Sequence, residues 1–223
     1  MSSEWLQSVS FLLAQGLFFH VCIKFRVMCM LILVKESTIK TVPSGETGDI
    51  SLYPGELYIH TGGPGPRVWT LLGFCVAVAL FNRKAGAGAI CHAQLPQRRL
   101  KNLDCSTDCP EDCEKLSEDP GKFRYLTCAF KQMLKVLTGK GLPASSLSAY
   151  LIGGSEVAPA GKDFFRVGAG NIEMARSLLQ KNRISLIFED TGGKIGRSLY
   201  FFPATGKLYY RFHGEKEFRL LSE

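Results

Sequence analysis

The chain alternates between apolar runs of strand length and two stretches with helical spacing. Residues 57–60 read as a strand, ended by the turn formers of 61–66. A second strand covers 68–72 and is broken by Gly73, after which 75–81 resumes as a buried apolar segment. A Gly- and Ala-rich turn at 82–88 leads into a strand at 89–95, closed by Pro96. Residues 97–121 are polar and acidic without a period, and read as a long surface loop. Between 123 and 137, Tyr125, Leu126, Ala129, Phe130, Met133, Leu134 and Leu137 fall on one face of a helix. A strand at 147–152 ends at Gly153-Gly154, and a second helix at 171–181 turns Ile172, Ala175, Leu178 and Leu179 inward. A strand at 184–189, the turn 190–193 and a hairpin of 198–202 with 207–212 complete the pattern. Many strands with two inserted helices predict an α+β (mixed α/β) domain, a layered β-sheet core with two main flanking helices.

The first 45 residues stand apart. From Trp5 to Ile23 there is no formal charge, which is the length of a membrane span. Gln7, Ser8, Ser10, Gln15, Gly16 and His20 interrupt it. Glu4 stands where a secretory signal carries a base, and Lys24 and Arg26 follow the apolar stretch instead of preceding it. The open readings are a membrane or export segment, an interfacial helix, or a poorly ordered or spurious extension, which includes a mis-assigned start with Met28 or Met30 as candidates. The expectation is the last of these for 1–45, with no stable membrane insertion. Residues 41–49 form a linker into a domain at 46–223.

Composition narrows the field. The 223 residues are 46% hydrophobic and 21% charged, ordinary globular values that exclude disorder, collagen and coiled coil for the whole. The 27 Lys and Arg against 20 Asp and Glu give +7, which favours an acidic partner surface. Eight unevenly spaced cysteines do not make a disulfide framework, so reduced thiols in a cytoplasmic protein are expected.

Among those thiols, Cys75 follows a Gly-Phe step at a strand–turn junction, where backbone amides can lower a thiol's pKa and hold an oxyanion. His92 is a lone histidine on an apolar strand. Periodicity alone leaves a buried small hydrophobe and a satisfied core histidine as the other reading. A catalytic pair requires that the strands carrying them be neighbours, with sulfur and ring nitrogen about 3–4 Å apart.

The words around these residues say more. Thr70-Leu-Leu-Gly-Phe-Cys75-Val-Ala-Val-Ala-Leu resembles the T-L-L-G-S-C-V-A-V-C-L segment of the chemoreceptor glutamine deamidases, the CheD family. Tyr53-Pro-Gly-Glu56, Cys91-His92-Ala-Gln-Leu-Pro96, Arg124-Tyr125, Leu151-Ile-Gly-Gly154, Val167-Gly-Ala-Gly-Asn171, Asp190-Thr-Gly-Gly-Lys-Ile-Gly-Arg197 and Phe202-Pro-Ala-Thr-Gly206 fall in family order. The resemblance spans roughly residues 50–212 and implies a CheD-like cysteine hydrolase fold. It implies Cys75 as nucleophile, His92 as general base and acid, and Thr70 as the residue orienting the histidine, with no cofactor. The implied substrates are glutamines of methyl-accepting chemotaxis receptors. A CheC-type phosphatase is the implied further partner. Phe74 stands where the family has serine, and Gln94 where it has methionine. These departures leave a second reading, a binding module that docks on receptors or on the phosphatase with little or no catalysis.

Other features add less. Cys105, Cys109 and Cys113 sit in the acidic loop at a spacing that fits no standard metal signature. His60 and His213 read as structural or exposed. Gly192-Gly193 reads as a tight turn, since no phosphate-loop motif occurs. The C-terminal basic and aromatic residues lack an RNP-type motif, so no nucleic-acid partner is expected.

Overall fold

A strand that is apolar on both faces must be covered on both, and Val76–Asn82 is apolar and buried up to its last residue. In this computed structural model, which describes residues 39–40, 48–100, 103–104, 121–156 and 165–221, it lies inside a six-stranded sheet. In chain order the strands are β1 (Ile39–Lys40), β2 (Asp49–Ser51), β3 (Leu57–His60), β4 (Arg67–Leu72), β5 (Val76–Asn82), β6 (Ala87–Ala93), β7 (Arg99–Leu100) and β8 (Leu103–Asp104). Then come helix α1 (Leu126–Gly139), β9 (Ser148–Gly153), helix α2 (Phe165–Lys181), β10 (Ser185–Thr191), β11 (Arg197–Phe202), β12 (Lys207–Phe212) and β13 (Arg219–Leu221). The first sheet has the order β1-β3-β6-β5-β9-β10, and a second has the order β13-β12-β11-β4-β2.

Alternation along β5 sorts the core into two layers. Val76, Val78 and Leu80 pack with Leu126, Phe130 and Met133 of α1 and with Leu178 and Leu179 of α2. Ala77, Ala79 and Phe81 point the other way, into a layer closed by Val68, Leu72, Leu199 and Phe201 of the second sheet. The order is helices, sheet, sheet, the α+β class expected from the pattern. Each fully buried Leu, Val or Phe contributes about 1.5–3 kcal/mol over its exposed state. Antiparallel pairing sets Ala77 opposite His92 and opposite Ile152, so β5 is held by β6 on one side and β9 on the other.

The structure shifts several boundaries. Strand β5 begins at Val76, leaving Cys75 in the bend before it. Strand β6 ends at Ala93, and Leu95 bridges to Tyr125 instead. Helix α2 starts at Phe165, ahead of the residue 171 that periodicity picks out. Its first turns contain Gly168 and Gly170, whose low helix propensity hides the helix from a pattern reading. Short strands β2 and β13 carry too few residues to show alternation. Inside the expected loop 97–121, β7 and β8 pair antiparallel. Most of the rest of that loop, with Cys105, Cys109 and Cys113, lies outside the described residues, as does most of the expected extension 1–45. Within that extension, Ile39 and Lys40 pair in parallel with Leu57 and Tyr58.

Candidate active site

Thr70, Cys75 and His92 arrive in one layer by different routes. Strand β4 buries alternate residues, and Val68, Thr70 and Leu72 face the first sheet, Thr70 fully buried at 0% exposure. On β6, Cys91 faces the helices, so His92, one residue on, faces the second sheet at 2% exposure. Cys75 lies two residues before Ala77, the partner of His92, in the cluster between the sheets, at 6% exposure.

The histidine backbone is clasped by the Tyr53–Glu56 turn. Gly55 N–H donates to the His92 carbonyl at 2.9 Å, and His92 N–H donates to the Glu56 carbonyl at 3.0 Å. The turn is held by its own carboxylate, with Tyr53 N–H donating to Glu56 Oε2 at 2.8 Å. Lys40 Nζ pairs with that buried carboxylate at 3.3 Å. The Tyr-Pro-Gly-Glu word is therefore a clamp on the histidine strand.

The ring is held by a second chain of bonds. Thr70 Oγ1 lies 2.8 Å from the Leu52 carbonyl and 2.8 Å from His92 Nδ1. The carbonyl can only accept, so the threonine proton goes there, and Nδ1–H donates to the threonine oxygen. That tautomer, assigned from the network, leaves Nε2 with its lone pair. Nε2 is buried and has no hydrogen-bond partner among the described residues. The bend holding Cys75 leads into β5, the neighbour of the strand carrying His92, but the thiol–imidazole hydrogen bond expected at about 3–4 Å is not formed in this arrangement.

The cysteine bend is pinned from the end of β9. Gly154 N–H donates to the Cys75 carbonyl and Ser155 N–H to the Gly73 carbonyl, each at 2.8 Å. Gly153 has φ +110°, and a Cβ there would come within 2.4 Å of the Cys75 oxygen, so only glycine fits. Ser155 is held in turn by Arg197, a buried guanidinium that also binds the Gly192 and Ile195 carbonyls and pairs with Asp190 at 2.6 Å. The Asp190–Arg197 word thus braces the cysteine bend, and the tight-turn reading of Gly192-Gly193 agrees with their positive φ values.

Burial sets the electrostatics. It pushes the Cys75 thiol up to about 12, against the lowering effect of its own backbone amide, so the expected lowering is outweighed. Burial also holds His92 down to about 4, opposed by the Leu52 carbonyl and the Glu56 charge. Thiol and imidazole are both neutral at rest.

Asn171 escaped the sequence reading. It is fully buried, and its Nδ2 donates to the Gln94 carbonyl at 3.0 Å and, more weakly, to the Phe74 carbonyl at 3.4 Å. Its only signal was its place in the word Val167–Asn171, whose glycines explain how it gets there. A Cβ on Gly168 would meet the Gly154 oxygen at 2.7 Å, so α2 lies hard against Gly154, whose N–H holds the Cys75 carbonyl.

Against this geometry stand the comparisons with known proteins. A family model described as "CheD chemotactic sensory transduction" matches residues 110–212. The probable chemoreceptor glutamine deamidase CheD 2 of Geobacter sulfurreducens is 31% identical over 159 residues, which is 71% of this chain and 86% of that protein. The chain belongs to the CheD family. The probable CheD 1 of Chromobacterium violaceum is 32% identical over 177 residues, 78% of this chain and 82% of its own length. The probable CheD of Pyrococcus abyssi is 29% identical over 165 residues, 74% and 87%. The alignments to bacterial and archaeal CheD proteins thus each cover most of both chains. Among solved structures, that of Neisseria meningitidis protein NMB0706, family-model DUF152, is a weak likeness. It has a TM-score of 0.35 and 16% identity over 61% of this chain and 53% of that one. Among the described residues of this CheD chain, no helix is long and apolar enough to cross a membrane, and no group of His, Cys, Asp and Glu could hold a metal ion. His60 Nε2 lies 3.0 Å from the Gly63 carbonyl and serves the turn after β3.

Proposed function

We propose that this protein deamidates glutamine side chains of methyl-accepting chemotaxis receptors to glutamates, with Cys75 as nucleophile. The observation that carries the reading is the chain Leu52–Thr70–His92, which leaves a bare, buried Nε2 in the layer that holds Cys75. A buried acceptor without a donor is unfavourable, and a thiol proton is what it lacks. The relatives' names, probable chemoreceptor glutamine deamidases, supply the substrate class.

The chemistry follows from the resting charges. A lone thiolate or a lone imidazolium is penalised in so dry a site, but a proton passed from Sγ to Nε2 creates both at once, and the pair is neutral overall. As the thiolate attacks the carboxamide carbon, the C–N bond breaks, and His92 returns the proton to the leaving ammonia. Water then opens the thioester, with His92 as base, releasing glutamate and restoring the thiol. Thr70 holds the imidazole in the tautomer this needs and stabilises its protonated form through Nδ1–H. The receptor residues so formed become sites for methylation, which places the protein in chemotactic adaptation in the cytoplasm. A CheC-type phosphatase is a further proposed partner.

A receptor cytoplasmic fragment incubated with the protein and analysed by mass spectrometry tests this. Each converted glutamine gains roughly 1 Da, and the gain disappears with Cys75→Ala. A fragment unchanged by wild type, yet bound by it, sinks the deamidase. The reading favoured in that case is a docking module, motivated by Phe74, which packs at the edge of the cluster holding Cys75.

A further inference from the structure

We propose that Asn171 is a positioning residue that sets the direction of the Cys75 backbone N–H and locks the cysteine bend to the strand carrying His92. The inference rests on the proposed pairing of Cys75 with His92.

The assignment of its amide is unambiguous. Both neighbours at hydrogen-bond distance are carbonyl oxygens, so the nitrogen must face them. One carbonyl belongs to Phe74 and the other to Gln94. The first is the acyl half of the peptide bond whose N–H is that of Cys75. In a trans peptide the C=O and N–H point to opposite sides, and the chain has no cis bonds among its described residues. Fixing the Phe74 carbonyl on Asn171 therefore turns the Cys75 N–H away from α2. That amide favours the thiolate of its own residue, against the larger effect of burial. The same N–H is available to an oxyanion built on the carbon that the sulfur attacks. The second carbonyl lies two residues past His92. One side-chain amide thus spans the two segments that must keep register.

The residue is kept at a disadvantage. Its Oδ1 is buried with no hydrogen-bond partner among the described residues, and an apolar side chain of similar size would fill the space without that penalty. Packing alone does not account for an asparagine here. Two donated bonds to the two carbonyls do.

The test measures coupling in the full-length protein. The rate of Cys75 alkylation by iodoacetamide is followed by peptide mass spectrometry against pH, with and without His92→Ala. In the wild-type background, His92→Ala shifts the midpoint by about half a pH unit or more. In the Asn171→Ala background the same substitution produces no further shift, because bend and strand no longer hold register. Leu178→Ala, a core truncation in the same helix, retains the full His92→Ala shift and controls for general loosening. Should Asn171→Ala fail to fold, Asn171→Ser replaces it, its hydroxyl being too short to bridge both carbonyls. On receptor fragment, Asn171→Ala lowers kcat about tenfold or more with KM within about twofold. A His92→Ala shift that is absent from wild type, or equally large with and without Asn171, overturns the inference. A wild type that leaves receptor mass unchanged overturns only the deamidase reading, since the alkylation comparison needs no substrate.

Discussion

Thr70 Oγ1 stands 2.8 Å from His92 Nδ1, a bond from a strand of one sheet to a strand of the other. The orientation of the proposed base is therefore a property of how two sheets pack, and not of its own strand. Replacing Thr70 by alanine leaves the buried Leu52 carbonyl and Nδ1 without their shared partner, a penalty of about 1–3 kcal/mol. Deamidation should fall roughly 10- to 100-fold, with Thr70→Ser recovering most of it. Equal losses in Thr70→Ser and Thr70→Ala, measured by receptor mass change, would contradict an orienting role for the hydroxyl.

Stability should have a pH dome with assignable edges. His92 is held at about 4 when folded, against an ordinary 6.5, so between these values the unfolded chain binds a proton that the folded chain refuses. Stability is full above about pH 6.5 and is lost as pH falls toward 4, by at most a few kcal/mol at about 1.4 kcal/mol per unit. On the alkaline side the Cys75 and Cys91 thiols stay protonated up to about 12 against an ordinary 9.0, so stability declines once pH exceeds about 9. Urea titrations across pH should show a flatter acid limb in His92→Gln. An unchanged limb would assign the acid sensitivity elsewhere.

Phe74→Ser introduces the serine that the resemblance to the family implies at this position. The backbone carbonyl that Asn171 holds is retained, while the ring that packs at the edge of the Cys75 cluster is removed. Deamidation should hold or rise, and iodoacetamide should reach Cys75 faster. Slower turnover would mean that the ring shapes the substrate site.

Gly168→Ala probes the contact between α2 and Gly154, which pins the cysteine bend. The added methyl lands 2.7 Å from the Gly154 oxygen, a backbone atom with little room to yield. Thermal stability should drop by roughly 1–3 kcal/mol and activity by more than stability explains, since the helix carrying Asn171 must retreat. Gly170→Ala, whose methyl would meet only the end of Pro96 at 3.5 Å, is the matched mild control.

Truncation separates two ends of the same segment. Removing residues 1–38 keeps Lys40 on the Glu56 carboxylate, whereas removing 1–45 takes away both that cation and β1. The longer deletion should be the less stable by about 1–2 kcal/mol, a figure reduced for the partial exposure of Lys40. Equal urea midpoints would show the pair to be dispensable.

Much of this was legible before any coordinates. Strands β3, β4, β9 and the β11–β12 hairpin declare themselves as short runs bounded by turn residues, and α1 by its apolar stripe. The family words carried Thr70, Cys75 and His92 together. What stayed hidden has a common cause: it depends on partners far apart in the chain. Asn171 looks like any helix residue until Gly168 is seen to lie against Gly154. Arg197 looks like a turn cation until its guanidinium is found buried on Ser155. A bare Nε2 follows from the Leu52 carbonyl, a backbone atom that no side-chain pattern encodes. The lowered thiol expected of Cys75 failed because burial, which a local word does not report, outweighs one amide.

The anchoring of the cysteine bend has a consequence for a chain emerging from the ribosome. Strands β5 and β6 are joined by a short turn and can pair early, bringing residues 75 and 92 alongside. The groups that brace the bend come much later, from Gly154, Ser155, Asn171 and Arg197. A nascent chain thus holds the proposed nucleophile and base long before it holds the groups that fix them in place. On the proposed reading, the centre is complete only once β11, which carries Arg197, has closed on its sheet.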